Sequence, residues 1–207
     1  MIKGQNITKT FGDSGLHSVD ISAGKGEMIG LAGASGCGKS TLLNILTGML
    51  RPDSGTVTIA GDDIYALSEK KRTALRGNVI GYVMQKNSLL PELTVMQNIL
   101  FPAQMAGKSP TEKKAQELAE RLSITGQLSS YPAQISGGEY RRVMLARILM
   151  LDTPIIAADE PTSNLDRESA QIVRDMLLDA NKNGTTIITA SHDPLLLESA
   201  DRVVRVG

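Results

Sequence analysis

The chain has 207 residues, enough for one large α/β domain or for a core with a modest insertion. Lys+Arg and Asp+Glu stand at 22 each, tryptophan is missing and aromatics are few, so the chain offers neither a broad basic footprint nor base-stacking platforms and no nucleic-acid partner is expected. One cysteine, Cys37, excludes an intrachain disulfide and a multi-cysteine metal site; no stretch approaches the roughly 20 apolar residues of a membrane span and no signal pattern opens the chain, so a soluble cytoplasmic protein is expected.

In chain order, strands are predicted at Ile2 to Thr8 and Gly26 to Leu31. The second runs through apolar Met28-Ile29-Gly30-Leu31-Ala32 into Gly33-Ala34-Ser35-Gly36-Cys37-Gly38-Lys39-Ser40, which matches G-x-x-x-x-G-K-[ST] at every fixed position, and a helical pattern opens at Thr41. Between them Phe11 to Gly26 reads as a glycine-rich connection, with His17 a plain surface residue. Later strands are predicted at Gly55 to Ala60, Val79 to Met84, Pro154 to Ala158, Thr185 to Ala190 and Arg202 to Val206. Most alternate with helical patterns, as a mostly parallel sheet with helix crossovers requires. From Gln85 to Met150 the rhythm changes to helices alone, at Thr94 to Met105, Pro110 to Ser123 and Ser136 to Met150. The expected organisation is one domain, 1–207, with an α/β core of 1–85 and 151–207 and a helical subdomain of 86–150.

The glycine loop explains itself chemically. Glycines let the backbone wrap a phosphate chain with its N–H groups inward, and the following helix N-terminus adds partial positive charge. Lys39 would reach the β- and γ-phosphates of ATP and Ser40 would ligate Mg²⁺. Cys37 inside this loop reads as alkylation-sensitive at most, since no base accompanies it for thiol catalysis. Pro154-Ile155-Ile156-Ala157-Ala158-Asp159-Glu160 is a buried strand ending in two carboxylates: Asp159 as a second Mg²⁺ anchor, usually through water, and Glu160 as the group that polarises the attacking water. The plain alternative is a strand ending in solvated acids.

His192 follows the strand Thr186 to Ala190; it is either a turn residue ahead of the next helix or an imidazole that hydrogen-bonds a γ-phosphate and senses hydrolysis. Gln85 lies where the helical insertion begins, and its amide could reach Mg²⁺ and the water and so tie insertion movement to nucleotide state. Ser136-Gly137-Gly138-Glu139 opens a helix. It reads as a serine N-cap, or as an anion site serving ATP held by a second copy of the chain, since the first loop already cradles the chain's own nucleotide.

The order of Gly33 to Ser40, Gln85, Ser136 to Glu139, Asp159-Glu160, Asn164-Leu165-Asp166 and His192 resembles the nucleotide-binding subunit of ABC transporters along essentially the whole chain. The resemblance implies an ATPase with a P-loop NTPase core, an antiparallel N-terminal β part and an inserted ABC-type helical subdomain. By the same resemblance Gly33 to Thr41 is the phosphate loop, Gln85 the Q-loop, Ile135 to Glu139 the signature, Glu160 the catalytic base and His192 the switch histidine. Phe11 would stack on adenine, and Asp166 would lie in the loop communicating across a dimer. Two copies would pack head to tail around two ATP and drive a separately encoded permease from the inner face of the membrane.

Asn87-Ser88-Leu89-Leu90-Pro91-Glu92-Leu93-Thr94-Val95-Met96-Gln97-Asn98 is similar to the bacterial ATPases of lipoprotein release, macrolide and peptide export and the cell-division complex. Ile135, Glu139, Tyr140 and Asn164 depart from the family's usual residues. The short Phe11 to Gly26 segment and an end at Gly207 imply a trimmed adenine-side sheet and no C-terminal regulatory domain. Three other readings compete: a regulatory complex that transports nothing, a soluble ABC ATPase of DNA repair or ribosome rescue, and a small-molecule P-loop kinase. The repair and rescue enzymes normally carry a coiled-coil insertion or tandem cassettes, which this sequence lacks; the signature segment speaks against a kinase.

Overall fold

The computed structural model describes residues 1–12, 14–84 and 88–207. Its strands form two sheets. β1 (Ile2–Phe11), β2 (Ser14–Ala23), β4 (Ser54–Ile59) and β5 (Asp62–Asp63) make an antiparallel sheet in the order β2-β1-β4-β5. β3 (Met28–Ala32), β6 (Ile80–Val83), β7 (Ile155–Asp159), β8 (Thr186–Ala190) and β9 (Arg202–Arg205) make a parallel sheet in the order β6-β7-β8-β3-β9.

Successive strand residues point to opposite faces, and the parallel sheet uses both. Ile29, Leu31, Ile155, Ala157 and Ile188 face a core shared with α1 (Lys39–Leu46), whose Leu42, Leu43, Ile45 and Leu46 also meet Ile2, Ile7 and Ile21 of the antiparallel sheet. Helix α1 is therefore packed between the two sheets. Met28, Ile156, Ala158 and Ile187 face the other way, into a second core shared with α3 (Val95–Met105), α4 (Glu112–Arg121), α5 (Gly137–Leu151) and α6 (Arg167–Lys182).

Each of these helices has a chemical reason to start where it does. Thr94 and Gln97 form a capping box on α3, Thr111 accepts from Lys114 N–H on α4, Ser136 and Glu139 form a capping box on α5, and Asp166 accepts from Ser169 N–H on α6. Pro194 opens the short α7 (Pro194–Glu198), which Asp193 caps. Single 3₁₀ turns at Thr125–Gln127 and Pro132–Gln134 lead from α4 to α5.

Besides the two-residue β5 and the 3₁₀ turns, β2 and α2 (Glu69–Asn78) escaped the sequence reading. Ser14–Ala23 is a strand paired with β1 along its length, so the segment expected as a short glycine-rich connection completes a hairpin; His17 on it is exposed, as expected. Its alternation is hidden by register shifts between Gly4 and Ile7 and between Ile7 and Lys9. Helix α2 (Glu69–Asn78) buries no residue, so it leaves no apolar stripe to find; Ser68 caps it and Glu69 pairs with Arg72 and with Arg76 at 3.0 Å.

Candidate active site

The C-terminal ends of β3, β7 and β8 converge on an open cleft of about 850 Å³. One wall is the loop from β3 into α1, with Ser35, Gly36, Gly38, Lys39, Ser40 and Thr41; the other carries Glu160, Thr162, Ser163, Asn164 and His192. Ligands of open parallel sheets bind beyond the carboxyl ends of the strands, and this cleft lies there.

The loop is shaped by its glycines at two points in particular. Gly38, the residue before α1, has φ 103°, a left-handed conformation that disfavours any side chain, and gives α1 no side-chain cap. A Cβ on Gly33 would run into the carbonyl oxygen of Val206 and the Cys37 sulfur. The amides at the start of α1 are thus left for a ligand to satisfy. Gly33, Ala34 and Cys37 themselves line a small neighbouring hollow with Arg205, Val206 and Gly207.

Lys39 is only 7% exposed, yet no carboxylate pairs with it among the described residues. Its ammonium donates to the carbonyls of Gly33 at 2.8 Å and Ala34 at 3.0 Å and lies 3.2 Å from His192 Nε2. A largely buried cation held by neutral oxygens at the floor of a loop of free amides suits a phosphate chain.

Ser40 Oγ donates to Asp159 Oδ1 at 2.9 Å. Burial pushes the Asp159 pKa up, against the Ser40 hydrogen bond and the charges of Arg141 and Lys39, which push it down. A hydroxyl and a carboxylate already in contact are hard oxygen donors of the sort Mg²⁺ takes, and Mg²⁺ usually adds waters and substrate phosphates to one or two such groups. The pair therefore fits the ion without a larger acidic cluster, and none is found among the described residues.

Glu160 follows β7 in a left-handed conformation, φ 49°, rare for a residue with a side chain. It is fixed there from several sides. Its N–H donates to Ala190 O at 2.8 Å, its carbonyl accepts from Ser163 N at 3.1 Å and Ser163 Oγ at 2.9 Å, and Oε2 accepts from His192 N at 3.2 Å. Oε1 stands 3.4 Å from His192 Nε2. That ring nitrogen therefore faces both Lys39 and Glu160. It accepts from the lysine when bare and donates to the glutamate when protonated, but cannot do both.

Of the other residues singled out in the sequence, Phe11 is half exposed at the end of β1 with the Lys9 ammonium 5.9 Å from its ring. Ser136, Gly137, Gly138 and Glu139 start α5 away from the cleft walls, and Asp166 caps α6. Glu139 Oε2 accepts from Ser136 N at 2.7 Å, which holds the carboxyl below the usual range. Gln85 lies outside the described residues. Sequence reasoning missed Arg167, Gln171 and Arg174 on the cleft wall; α6's spacing puts the last two near Arg167, but no local motif marks them.

This sheet order, with a glycine loop feeding a helix and a carboxylate strand beside it, defines a P-loop nucleotide hydrolase. Residues 16–163 match the family model described as ABC transporter. The lipoprotein-releasing system ATP-binding protein LolD of Shewanella oneidensis is 37% identical over 98% of this chain and 91% of its own length. The macrolide export ATP-binding/permease protein MacB of Bartonella quintana is 41% identical over 93% of this chain, which spans 29% of that protein. Among solved structures, the ATP-binding cassette MJ0796, as a dimer in a post-hydrolysis state bound to ADP and Pi, superposes with a TM-score of 0.92 at 30% identity. It covers 100% of this chain and 94% of its own. The chain belongs to the ABC transporter family and is an ATP-binding subunit with ATPase activity.

Proposed function

We propose that the chain is the motor subunit of an exporter or mechanotransmission complex: a head-to-tail dimer around two ATP that drives a separate permease from the inner face of the membrane. The observation that carries this reading is the division of the chemistry between two sites. The cleft holds Lys39, Ser40, Glu160 and His192, with Asp159 bonded to Ser40 behind it, while Ser136 to Glu139 line none of its walls and Gly137 opens onto a separate hollow with Ile135, Tyr140, Asn164 and Leu165. The dimeric state of MJ0796 supports the arrangement. Among the described residues no helix is long and apolar enough to cross a membrane. The division into a 1–85 and 151–207 core and an 86–150 helical subdomain belongs to the same reading.

In hydrolysis the loop amides and Lys39 would hold the β- and γ-phosphates, and Phe11 would stack on adenine. Ser40 and Asp159, with Gln85, would hold Mg²⁺, which neutralises phosphate charge when bound. Glu160, with its backbone locked, would take a proton from water as the oxygen attacks the γ-phosphorus and the bond to the bridging oxygen breaks, releasing ADP and phosphate. His192 Nε2, poised between Lys39 and Glu160, would give its hydrogen bond to the γ-phosphate. Ser136 and the Gly137 and Gly138 amides of one protomer, with Asp166 nearby, would close on the ATP of the other.

The permease would dock in an open, mainly apolar groove of about 680 Å³ lined by Met49, Ala74, Ile80, Tyr82, Pro102 and Met105, where Met105 is 71% exposed. The similarity to LolD and MacB favours lipoprotein, macrolide or peptide handling over a complex that only signals. Purifying the protein from detergent-solubilised membranes and identifying what accompanies it tests this. A permease with about four membrane helices and a large external domain is expected; ribosomal or DNA-repair proteins alone would sink the reading. Glu160→Gln should keep ATP binding, lose roughly 10²- to 10⁴-fold in turnover and accumulate an ATP-bound dimer.

A further inference from the structure

Helix α5 carries, one turn past its capping box, side chains that reach across to other elements. Arg141 Nη1 donates to the Met84 carbonyl, just beyond β6, at 3.0 Å, and Nη2 donates to Ser163 Oγ at 3.4 Å. The neighbouring Tyr140 hydroxyl accepts from Leu89 N at 2.8 Å, and Arg147, lower on the helix, donates to Ser88 O at 2.6 Å. The helix thus holds the β6–α3 connection at Met84 and at Ser88-Leu89. Arg141 alone among these three also reaches the loop after β7.

That second contact leads to the reacting group. Ser163 Oγ spends its proton on the Glu160 carbonyl at 2.9 Å, so its lone pair is what Arg141 holds, and Ser163 N donates to the same carbonyl at 3.1 Å. The Glu160 backbone, left-handed at φ 49°, depends on such partners to stay where it is. Burial depresses the Arg141 pKa while the charges of Asp159 and Glu160 push it back up, which places the guanidinium within electrostatic reach of both carboxylates. A planar fork with fixed donor directions suits a part that must hold two elements at a set separation.

We infer that Arg141 is a positioning residue for hydrolysis, which fixes the signature helix to the Met84 carbonyl and, through Ser163, sets the backbone of Glu160. The inference rests on the reading of Glu160 as base. It means that a shift of α5 is felt directly at the catalytic glutamate of the same protomer, through one side chain.

The test is steady-state ATPase kinetics and nucleotide affinity of the purified protein carrying Arg141→Met, Arg141→Lys, Ser163→Ala and the Arg141→Met/Ser163→Ala pair, with Glu160→Gln as reference. Arg141→Met should lower kcat roughly 10- to 100-fold, as loss of a charged hydrogen bond would, with ATP affinity and KM little changed. Arg141→Lys should recover part of the loss. The double variant should be no slower than Arg141→Met, because both changes cut the same connection. A residue that only stabilised the fold would lower the melting temperature without separating kcat from KM.

Full kcat in Arg141→Met, a loss confined to KM, or losses that multiply in the pair would overturn the inference. If Arg141→Met does not fold, Arg141→Lys with and without Ser163→Ala gives the same non-additivity test. Should Glu160→Gln keep its turnover, the assignment of the base fails instead, a separate result.

Discussion

The two glycine-rich helix starts of this protein look alike on paper and differ in what they leave undone. Helix α1 begins at a left-handed Gly38 without a side-chain cap, over a lysine held by two carbonyl oxygens and beside an imidazole. Helix α5 begins with Ser136 and Glu139 satisfying each other's backbone N–H groups in a closed capping box. The first is unfinished without a phosphate. The second is a complete helix start that a ligand can share but does not need. A glycine pair in the first turn of a helix is therefore weak evidence for a private anion site, and the uncapped start of α1 is the stronger sign.

The comparison is broken most forcefully by Ser136→Arg. If the α5 start serves ATP of a second copy, the bulk and charge should abolish turnover, a loss of more than about 100-fold, while a lone protomer binds ATP as before; equilibrium nucleotide binding beside an ATPase assay separates the two. Intact turnover would reduce the α5 start to a plain cap. Lys39→Ala should act on the other site and on binding itself, with ATP affinity falling roughly 10- to 100-fold for a lost charge-assisted contact. An unchanged affinity would mean that Lys39 only ties its own loop.

Ser136→Ala sharpens the contrast at smaller scale. The cap it removes is worth about 1 kcal/mol in unfolding, readable in urea. Smallest is an acid effect. The Glu139 carboxyl is held low by its bond to Ser136 N–H, so its folded pKa lies below the unfolded one. Its stabilisation is present above the ordinary carboxylate range and is lost as pH falls through the depressed value. Solvent screening limits it to on the order of a few tenths of a kcal/mol, measurable as the difference between wild type and Glu139→Gln across that window.

What could be read from the sequence was what burial and backbone chemistry write locally. The phosphate loop, the carboxylate end of β7 and six of the seven predicted strands lie within two residues of the observed bounds, Met28–Ala32 against Gly26 to Leu31 for instance; β3, β6, β7 and β8 are short apolar runs as buried parallel strands are, while β4 and β9 were marked by the turn residues before β4 and the apolar Val203-Val204 of β9. The seventh, Ile2 to Thr8, continues to Phe11, where bulges disturb the alternation. Helix α2 meets the core through little more than a half-buried Leu75 and β2 is out of phase, so neither left a clear periodic mark. The Arg141 contacts were illegible for another reason. They join three stretches far apart in sequence, and only the packing of α5 against β6 and β7 brings them together.

The place of β3 in its sheet has a consequence for how the protein is made. Met28 is flanked by Ile187 of β8, and its N–H is held by Asp201, so the strand that aims the phosphate loop finds its neighbours only near the far end of the chain. At roughly 5–20 residues per second, a ribosome exposes this apolar strand for on the order of ten seconds before β8 exists. Until then the hairpin of β1 and β2 can form, but the nucleotide loop cannot be set. The emerging chain thus cannot set its nucleotide loop until β8 and β9 have been made, and in that interval Met28 to Leu31 must be covered by something else to avoid aggregation.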